Sequence, residues 1–214
     1  MIDLFLKVAV SYLLGSVVGS LLVGRLRGGV DIRTLASGNA GATNALRTQG
    51  KSFAFWVLFI DIFKGWVATR IVSTMSFSGE VADPLQVWAA SLCGVAVMLG
   101  HVYPVWYGFR GGKGVATLVG VILGLNPALL LPVLLIWLLA AMAFGYVGLA
   151  SMVATLALPV AVAETHTEPN APLLTFGVAA VILIVFTHRA NIRRMLAGTE
   201  PRARRLWLFG KRGT

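Results

Sequence analysis

The sequence predicts an all-α, polytopic membrane protein with seven transmembrane helices, and three observations lead to this prediction. First, 57% of the 214 residues are hydrophobic and only 12% are charged, whereas a soluble domain carries about 25% charged residues. Second, the apolar residues form long unbroken runs of the kind that cross a bilayer as helices. Third, the basic residues concentrate on one side of these runs, as they do in cytoplasmic loops.

Each predicted span is an apolar run bounded by polar or turn-forming residues. A helix needs about twenty residues to cross the hydrocarbon, and the fourth run is short for this. We include it because seven spans put all the basic segments on one side of the membrane. The first run has the length of a retained helix and lacks the pattern of a cleaved signal peptide. The predicted spans are Ile2–Gly24, Phe53–Thr74, Leu85–Tyr103, Val115–Leu125, Ala128–Phe144, Val147–Ala163 and Ala171–Thr187.

The distribution of charge predicts an external N-terminus and a cytoplasmic C-terminus. Residues 25–51, 100–113 and 188–214 hold 15 of the 18 Lys and Arg residues. Merging the fourth and fifth runs would send the basic tail outside, against the positive-inside rule. The net charge of +10 therefore favours anionic lipid head groups and phosphate esters as partners, and no nucleic acid is expected. Acidic residues predominate on the opposite side: Asp3, Glu80, Asp83, Glu164 and Glu168.

Residues 100–117, GHVYPVWYGFRGGKGVAT, combine glycines with basic and aromatic side chains at the end of a predicted span. Glycine lets a backbone approach a ligand closely and adopt positive φ. Gly111, Gly112 and Gly114 therefore predict a cradle of N–H groups for a phosphate, with Lys113 adding a positive charge. The segment lacks the P-loop spacing, GxxxxGK followed by Ser or Thr. An interfacial loop whose basic residues anchor the membrane edge explains the pattern equally well.

Residues 35–47 form a second candidate anion site, in the first cytoplasmic loop. Small residues predominate there and leave backbone N–H groups and hydroxyls accessible, and Arg47 is able to bind a phosphate through two N–H groups. Ser37, Gly38, Asn39 and Asn44 are the other candidate residues of this segment. The alternative is a flexible linker, although linkers rarely carry a fixed Arg and two Asn residues.

Polar side chains also occur inside or at the end of predicted spans. Asp61 and Lys64 lie three residues apart on one helix face, and ionisable groups within a span usually face the bundle interior as a pair. Two interpretations of this pair are open: a purely structural ion pair, and a pair that orients a ligand. His188 and Asn191 share a face if the last helix continues, and His188 is suited to act as a base or donor. A polar helix end is the plainer alternative.

Together these segments closely resemble the PlsY-type glycerol-3-phosphate acyltransferases. The matching signatures are SGNAGATNALR at 37–47, GHVYPV and GFRGGKGVAT within 100–117, DIFKG at 61–65 and HRANIRRMLAGTE at 188–200. Their order and spacing cover essentially the whole chain. Ala36 is one departure, because the family usually has Gly there, and it predicts a slightly stiffer turn.

The resemblance implies a single integral-membrane acyltransferase domain, residues 1–214, in which 1–200 carry the signatures and 201–214 form a basic cytoplasmic tail. It implies transfer of a fatty acyl group from acyl phosphate to the sn-1 hydroxyl of glycerol 3-phosphate, giving lysophosphatidate and phosphate. It places the protein in the bacterial inner (plasma) membrane, with the active site on the cytoplasmic side. No metal or organic cofactor is expected.

Acyl-carrier protein and coenzyme A are not expected as direct donors. Acyltransferases that use them carry His-x4-Asp, and in this chain Trp, Ala and Arg occupy the Asp position after the three histidines. A membrane transporter or channel for a phosphate ester is the competing prediction, since seven spans and an intramembrane Asp–Lys pair would suit one. The sequence shows no internal repeat to support it.

The resemblance and the residue chemistry together predict one inner-leaflet pocket that holds two phosphates. The predicted catalytic residues are His188, Ser37, Lys113 and Arg47, and either His188 or a substrate phosphate accepts the hydroxyl proton. No metal ligands are predicted. The predicted substrate-binding residues are Gly38, Asn39, Asn44, Asp61, Lys64, His101, Gly111, Gly112, Gly114, Asn191 and Glu200.

Overall fold

The computed structural model describes residues 1–77, 84–165, 170–203 and 206–209; most of these residues are helical, and no strand occurs among them. The predicted all-α class is confirmed. The predicted outer-side acids Glu80, Asp83 and Glu168, and His166, lie outside the described residues. The helices are α1 (Ile2–Gly15), α2 (Gly19–Leu26), α3 (Ala42–Gln49), α4 (Lys51–Arg70), α5 (Ala89–Val102), α6 (Val115–Leu125), α7 (Leu130–Phe144), α8 (Val147–Thr165), α9 (Ala171–Thr187) and α10 (Arg189–Leu196).

The chain divides into two compact units, Met1–Leu125 and Asn126–Thr214. In the first unit, α1 packs on α5, and α4 packs on α2, α3, α5 and α6. Glycines at these contacts let the backbones approach closely. A Cβ at Gly15 would overlap the carbonyl of Val97, and one at Gly120 would overlap the carbonyl of Ile62. Small residues play this role wherever lipid-facing helices must pack without bulky side chains between them. Cys93 of α5 is completely buried in this unit.

The first predicted span is not one straight helix. It is divided into α1 and α2, which meet at an angle of 48° across residues 16–18. The break consists of Ser16-Val17-Val18 and is flanked by Gly15 and Gly19. It is stabilised from α4, whose polar side chains bind the backbone groups that the break leaves without helical partners.

Helix length and composition support three to five membrane crossings. Pro84–Tyr107, Pro127–Phe144 and Val147–Glu164 are each long and apolar enough to cross. Two further crossings follow if α1 with α2, and α9 with α10 (bent by 53°), each count as one. The predicted second and fourth spans correspond to α4 and α6. The eleven residues of α6 extend about 16 Å, roughly half the thickness of the hydrocarbon core.

The second unit packs α8 between α7 and α9. Asn170 caps α9 by accepting a hydrogen bond from the Leu173 N–H at 3.0 Å. Gly145 ends α7 in a left-handed conformation (φ 75°), and the Trp207 ring lies against it. The Ala203 N–H donates to the Gly145 carbonyl at 2.7 Å. The described part of the basic tail therefore folds back onto the α7–α8 turn.

Candidate active site

The loop before α3 is shaped by the buried side chain of Asn44. Its amide nitrogen donates to the carbonyls of Ile32 at 2.9 Å and Leu35 at 3.1 Å, and its amide oxygen accepts the N–H of Ser37 at 3.2 Å. The Ser37 side chain is exposed. Asn44 thus uses its amide to hold the loop that carries Ser37, so it acts as a positioning residue where the sequence predicted a phosphate contact.

Two residues of this loop have positive φ. Gly38 has φ 68°, and Ala36 has φ 46°. The left-handed region is accessible to glycine without penalty but costs other L-residues roughly 1–2 kcal/mol. The sequence predicted a stiffer turn at Ala36, and the structure shows a strained backbone at this residue. The strain explains why glycine is the more suitable residue there.

Ala36→Gly is expected to raise the free energy of unfolding by about 0.5–1 kcal/mol, because relief of backbone strain outweighs the added freedom of glycine in the unfolded chain. Thermal melting of the detergent-purified protein measures the change. Ala42→Gly, in the first turn of α3, is the matched control and is expected to lower stability by about 0.5–1 kcal/mol. Equal destabilisation by both substitutions would contradict the strain.

Two N–H groups of the glycine-rich loop are already engaged. The N–H of Gly111 donates to the Val102 carbonyl at 3.0 Å, and that of Gly112 donates to the His101 carbonyl at 3.1 Å. These bonds satisfy the end of α5, so the two groups do not form the predicted free N–H cradle. Gly114 has φ 88° and directly precedes α6, whose first-turn N–H groups have no partner within the helix.

The two glycine-bearing loops meet at Gly112. A Cβ there would overlap the His101 ring and would lie 3.1 Å from the Ala40 carbonyl oxygen. The same Ala40 oxygen accepts the Ser20 hydroxyl at 3.0 Å. Gly112 is therefore required for close approach, and the structure brings residues 35–47 and 100–117 together.

Arg33 joins these loops, and it is not among the site residues predicted from the sequence. Its guanidinium donates to both carboxylate oxygens of Asp31, with the shortest distance 2.7 Å between Nη2 and Oδ2. Its Nη1 donates to the carbonyls of Tyr107 at 3.0 Å and Arg110 at 2.8 Å. The Asp-x-Arg spacing was visible in the sequence, but its backbone partners lie more than seventy residues away. Arg33 thus clamps the loop that leads to Lys113.

The Asp31–Arg33 pair is expected to stabilise the fold at neutral pH and to lose this effect in acid. The Arg33 guanidinium lowers the pKa of Asp31 below its usual 3.8, and Asp31 raises the pKa of Arg33. A carboxylate with a lowered pKa stabilises the fold above its unfolded-state pKa and loses that contribution as the pH falls through its folded-state pKa.

Asp31→Asn is therefore expected to lower the free energy of unfolding at pH 7, and with it the melting temperature. The loss should be at most about 1 kcal/mol, because the pair is partly exposed. The difference in melting temperature between wild type and variant should stay constant above about pH 5 and become smaller below about pH 4. Melting curves of both proteins between pH 3 and pH 8 measure it. A gap that widens in acid would contradict the linkage.

Lys64 of α4 fills the break between α1 and α2. Its ammonium donates to the carbonyl oxygens of Gly15 and Val17, each at 2.9 Å, and lies 3.0 Å from Asp61 Oδ1. Only 3% of its side chain is exposed. Backbone groups at this depth need a protein partner because lipid offers none.

Asp61 completes this buried network. Its Oδ1 accepts the N–H of Gly19, the first residue of α2, at 3.0 Å. Nδ1 of His101 lies 3.3 Å from the same oxygen and 2.9 Å from the Lys64 nitrogen. Asp61, Lys64 and His101 were predicted to bind substrate. In the structure their polar atoms stabilise the helix break and hold the His101 ring that packs on Gly112; binding of substrate by these residues stays a prediction.

The remaining predicted residues of the second unit form their own cluster. His188 Nδ1 lies 2.8 Å from the Ile184 carbonyl oxygen, which can act only as a hydrogen-bond acceptor. In the neutral imidazole, Nδ1 therefore carries hydrogen and Nε2 is the acceptor. Asn191 donates to Glu200 at 2.6 Å, and Arg194 Nε lies 2.6 Å from the other Glu200 oxygen.

The predicted site is thus divided between the units. His188, Asn191 and Glu200 lie in the second unit, and the other predicted residues lie in the first. Arg47 and Gly38 are exposed, and Asn39 is partly buried beside Gly41. Among the described residues, no group of three His, Cys, Asp or Glu side chains comes together to hold a metal ion.

Comparison with known proteins places this geometry in context. A family model described as glycerol-3-phosphate acyltransferase matches residues 5–198. Glycerol-3-phosphate acyltransferases of Sinorhizobium fredii and Allorhizobium ampelinum are 42% and 39% identical; the alignments cover 92% and 98% of this chain and 91% and 94% of those proteins. The enzyme of that name from Pelodictyon phaeoclathratiforme is 37% identical over 99% of this chain and all of its own length.

Two crystal structures are similar throughout. Both are of PlsY (YgiH), an integral membrane glycerol 3-phosphate acyltransferase, one in a glycerol 3-phosphate form and one in a lysophosphatidic acid form. The TM-scores are 0.82 and 0.80, with 35% identity, and each match covers 93% of this chain and 94% of that chain.

Proposed function

Because the chain belongs to the glycerol-3-phosphate acyltransferase family, we propose that it transfers a fatty acyl group from acyl phosphate to the sn-1 hydroxyl of glycerol 3-phosphate. The hydroxyl oxygen attacks the acyl carbonyl carbon and forms the ester bond. The bond from that carbon to the phosphate oxygen breaks, and inorganic phosphate leaves with its electron pair. The products are lysophosphatidate and phosphate, at the first step of bacterial phospholipid synthesis.

One observation carries this proposal. The crystal structures that match 93% of the chain are described by glycerol 3-phosphate and lysophosphatidic acid forms, which are an acceptor and its monoacyl product. The product differs from the acceptor by one acyl group, and an acyl phosphate is able to donate that group directly. It is a mixed anhydride with a good leaving group, so positioning and charge stabilisation are the main demands on the protein.

Lys113 and the start of α6 hold the leaving phosphate in this proposal. The lysine directly precedes Gly114 and the helix, where first-turn N–H groups and the helix dipole favour an anion. Ser37 and Arg47 of the neighbouring loop contact the second phosphate. The clamp from Arg33 and the shaping of the loop by Asn44 support this arrangement, because both hold the candidate loops in fixed positions.

His188 orients the attacking hydroxyl or accepts its proton. Its Nδ1 is committed to the Ile184 carbonyl, which makes Nε2 the proton acceptor in the neutral ring. Asn191 and Glu200 hold the chain that follows His188 in place through their mutual hydrogen bond. A phosphate oxygen of either substrate is the alternative acceptor of the same proton.

The test is a reaction of purified protein in detergent with palmitoyl phosphate and glycerol 3-phosphate. We expect equal amounts of lysophosphatidate and phosphate, and no product with palmitoyl-coenzyme A or palmitoyl-acyl-carrier protein. Turnover only with the thioesters would overturn the donor assignment. Flux of glycerol 3-phosphate into sealed vesicles without any acyl donor would favour a transporter.

The proposed setting is the bacterial inner (plasma) membrane, with seven spans, an external N-terminus and a cytoplasmic active site. Both units belong to one acyltransferase domain, which the family match across residues 5–198 supports. The fourth crossing uses the short helix α6. Fusion of green fluorescent protein after residue 214 tests the orientation, since it becomes fluorescent only in the cytoplasm. A dark fusion that is nevertheless inserted would contradict the seven-span topology.

Arg33→Ala is expected to lower kcat/KM by about 10- to 100-fold, because two charge-assisted bonds to the loop before Lys113 are lost. Arg33→Lys should not restore activity, since one ammonium cannot replace the forked guanidinium. Arg27→Ala is the control, because Arg27 is exposed and its side-chain contacts, Ser52 Oγ at 2.9 Å and the Phe53 ring, belong to α4 and not to the loop before Lys113. Equal kcat/KM for all these variants would contradict the proposal that Arg33 positions the loop before Lys113.

A further inference from the structure

We propose that a cavity on the first unit binds the head group of one monoanionic phospholipid, separately from the acyl-transfer site. The cavity has a volume of about 280 Å³. Its walls come from α2, from residues 29–33 and from the turn Val105–Tyr107. Ser37 and Lys113, the residues proposed to contact phosphate, do not line it. Of the residues used in the acyl-transfer proposal, the positioning residue Arg33 is the one that does.

The charge of the cavity fits a phosphate diester. Asp31 and Arg33 both line it and neutralise each other through the bidentate pair already described. Arg25, in the last turn of α2, also lines it, and in the described part of the chain no carboxylate pairs with it. The net charge of the lining is therefore +1. A phosphodiester head group carries a single negative charge, and a guanidinium binds phosphate oxygens through parallel N–H bonds.

The surroundings of the cavity fit a lipid as the carrier of that phosphate. Trp106 lines it and is 60% exposed. Phe109, three residues after Trp106, and Leu26, next to Arg25 in the sequence, are 57% and 77% exposed. Exposed aromatic and aliphatic side chains beside a basic residue are typical of the membrane–water interface. Part of the wall is fixed, because the lining residue Tyr107 packs against the buried cluster of Val18, Leu21 and Ala40. Acyl chains are therefore able to lie along the apolar rim while the phosphate reaches Arg25.

Native mass spectrometry of the detergent-purified protein tests this inference. Wild type, Arg25→Gln and Arg27→Gln are each titrated with phosphatidylglycerol, with phosphatidylcholine and with glycerol 3-phosphate as a competitor. Arg27 is the matched control, since it is an exposed arginine two residues away that does not line the cavity. We expect one phosphatidylglycerol on the wild type, bound at least about tenfold more weakly by Arg25→Gln, for the loss of one charge-assisted contact.

Arg27→Gln should bind the lipid as the wild type does, and acyl transfer by Arg25→Gln should stay within about twofold of wild type. Trp106→Ala should weaken lipid retention without changing the melting temperature. Equal loss in the two arginine variants would mean diffuse surface attraction and would overturn the site. Equal retention of phosphatidylcholine, or displacement of the lipid by millimolar glycerol 3-phosphate, would overturn it as well.

Discussion

Lys113→Ala is expected to lower kcat by about 10²- to 10³-fold, the range found when one preorganised group facing a developing negative charge is removed. The departing phosphate gains charge as its bond to the acyl carbon breaks, and the lysine before α6 is the proposed partner. Steady-state turnover with palmitoyl phosphate and glycerol 3-phosphate measures the loss. Lys113→Arg keeps the charge and should retain more activity than the alanine variant.

The melting temperature of Lys113→Ala is measured alongside turnover, because the half-buried lysine lies in the loop before α6 and its replacement must be shown to leave the fold intact. Wild-type turnover by this variant would refute the assignment of Lys113. Loss of turnover together with loss of folding would point to a structural role, which the Lys113→Arg variant then separates from catalysis.

Lys64→Met is expected to lower the free energy of unfolding by about 3–5 kcal/mol, as removal of one partner from a buried ion pair does. The substitution leaves the buried Asp61 carboxylate without its lysine partner, and it leaves the carbonyls of Gly15 and Val17 without their donor. Unfolding in mixed dodecyl maltoside and dodecyl sulfate micelles, followed by circular dichroism, measures the change.

The double variant Asp61→Leu/Lys64→Met distinguishes two explanations of the pair. If the residues only neutralise each other, an apolar replacement of both should restore most of the stability. We expect it to remain at least about 2 kcal/mol below wild type, because unpaired backbone groups at the helix break cost about 1–3 kcal/mol each. Recovery to wild-type stability would show that the backbone contacts contribute little.

The sequence predicted the class of fold because hydrophobic runs and charge placement are local properties. The resemblance to PlsY-type acyltransferases, based on four separated signatures, is confirmed by the family match. The break between α1 and α2 was not predictable in this way. Gly15 and Gly19 flank the break, but glycines also occur inside the unbroken helices α4, α5 and α6, so they do not mark a break by themselves. The groups that stabilise the break belong to Lys64 and Asp61, more than forty residues away.

Individual roles within the candidate site depended on partners that sequence does not show. A glycine-rich pattern predicts accessible N–H groups, but at Gly111 and Gly112 the end of α5 uses those groups first. Asn44 has the residue type of an anion ligand, but burial turns its amide toward its own loop. The Asp31–Arg33 pair is visible as an Asp-x-Arg spacing, but the contact of Arg33 with the glycine-rich loop was not predictable because its acceptors there are the main-chain carbonyls of Tyr107 and Arg110.

The complete burial of Cys93, with none of its surface exposed, makes the natural chain a convenient background for site-directed labelling. Thiol reagents in water should leave Cys93 unmodified, so a cysteine introduced at an exposed position becomes the single reactive site. Thr43 on α3 and Ala197 after α10 are exposed positions in different units. Spin labels at this pair would record distances between the two halves during turnover without first removing the native thiol.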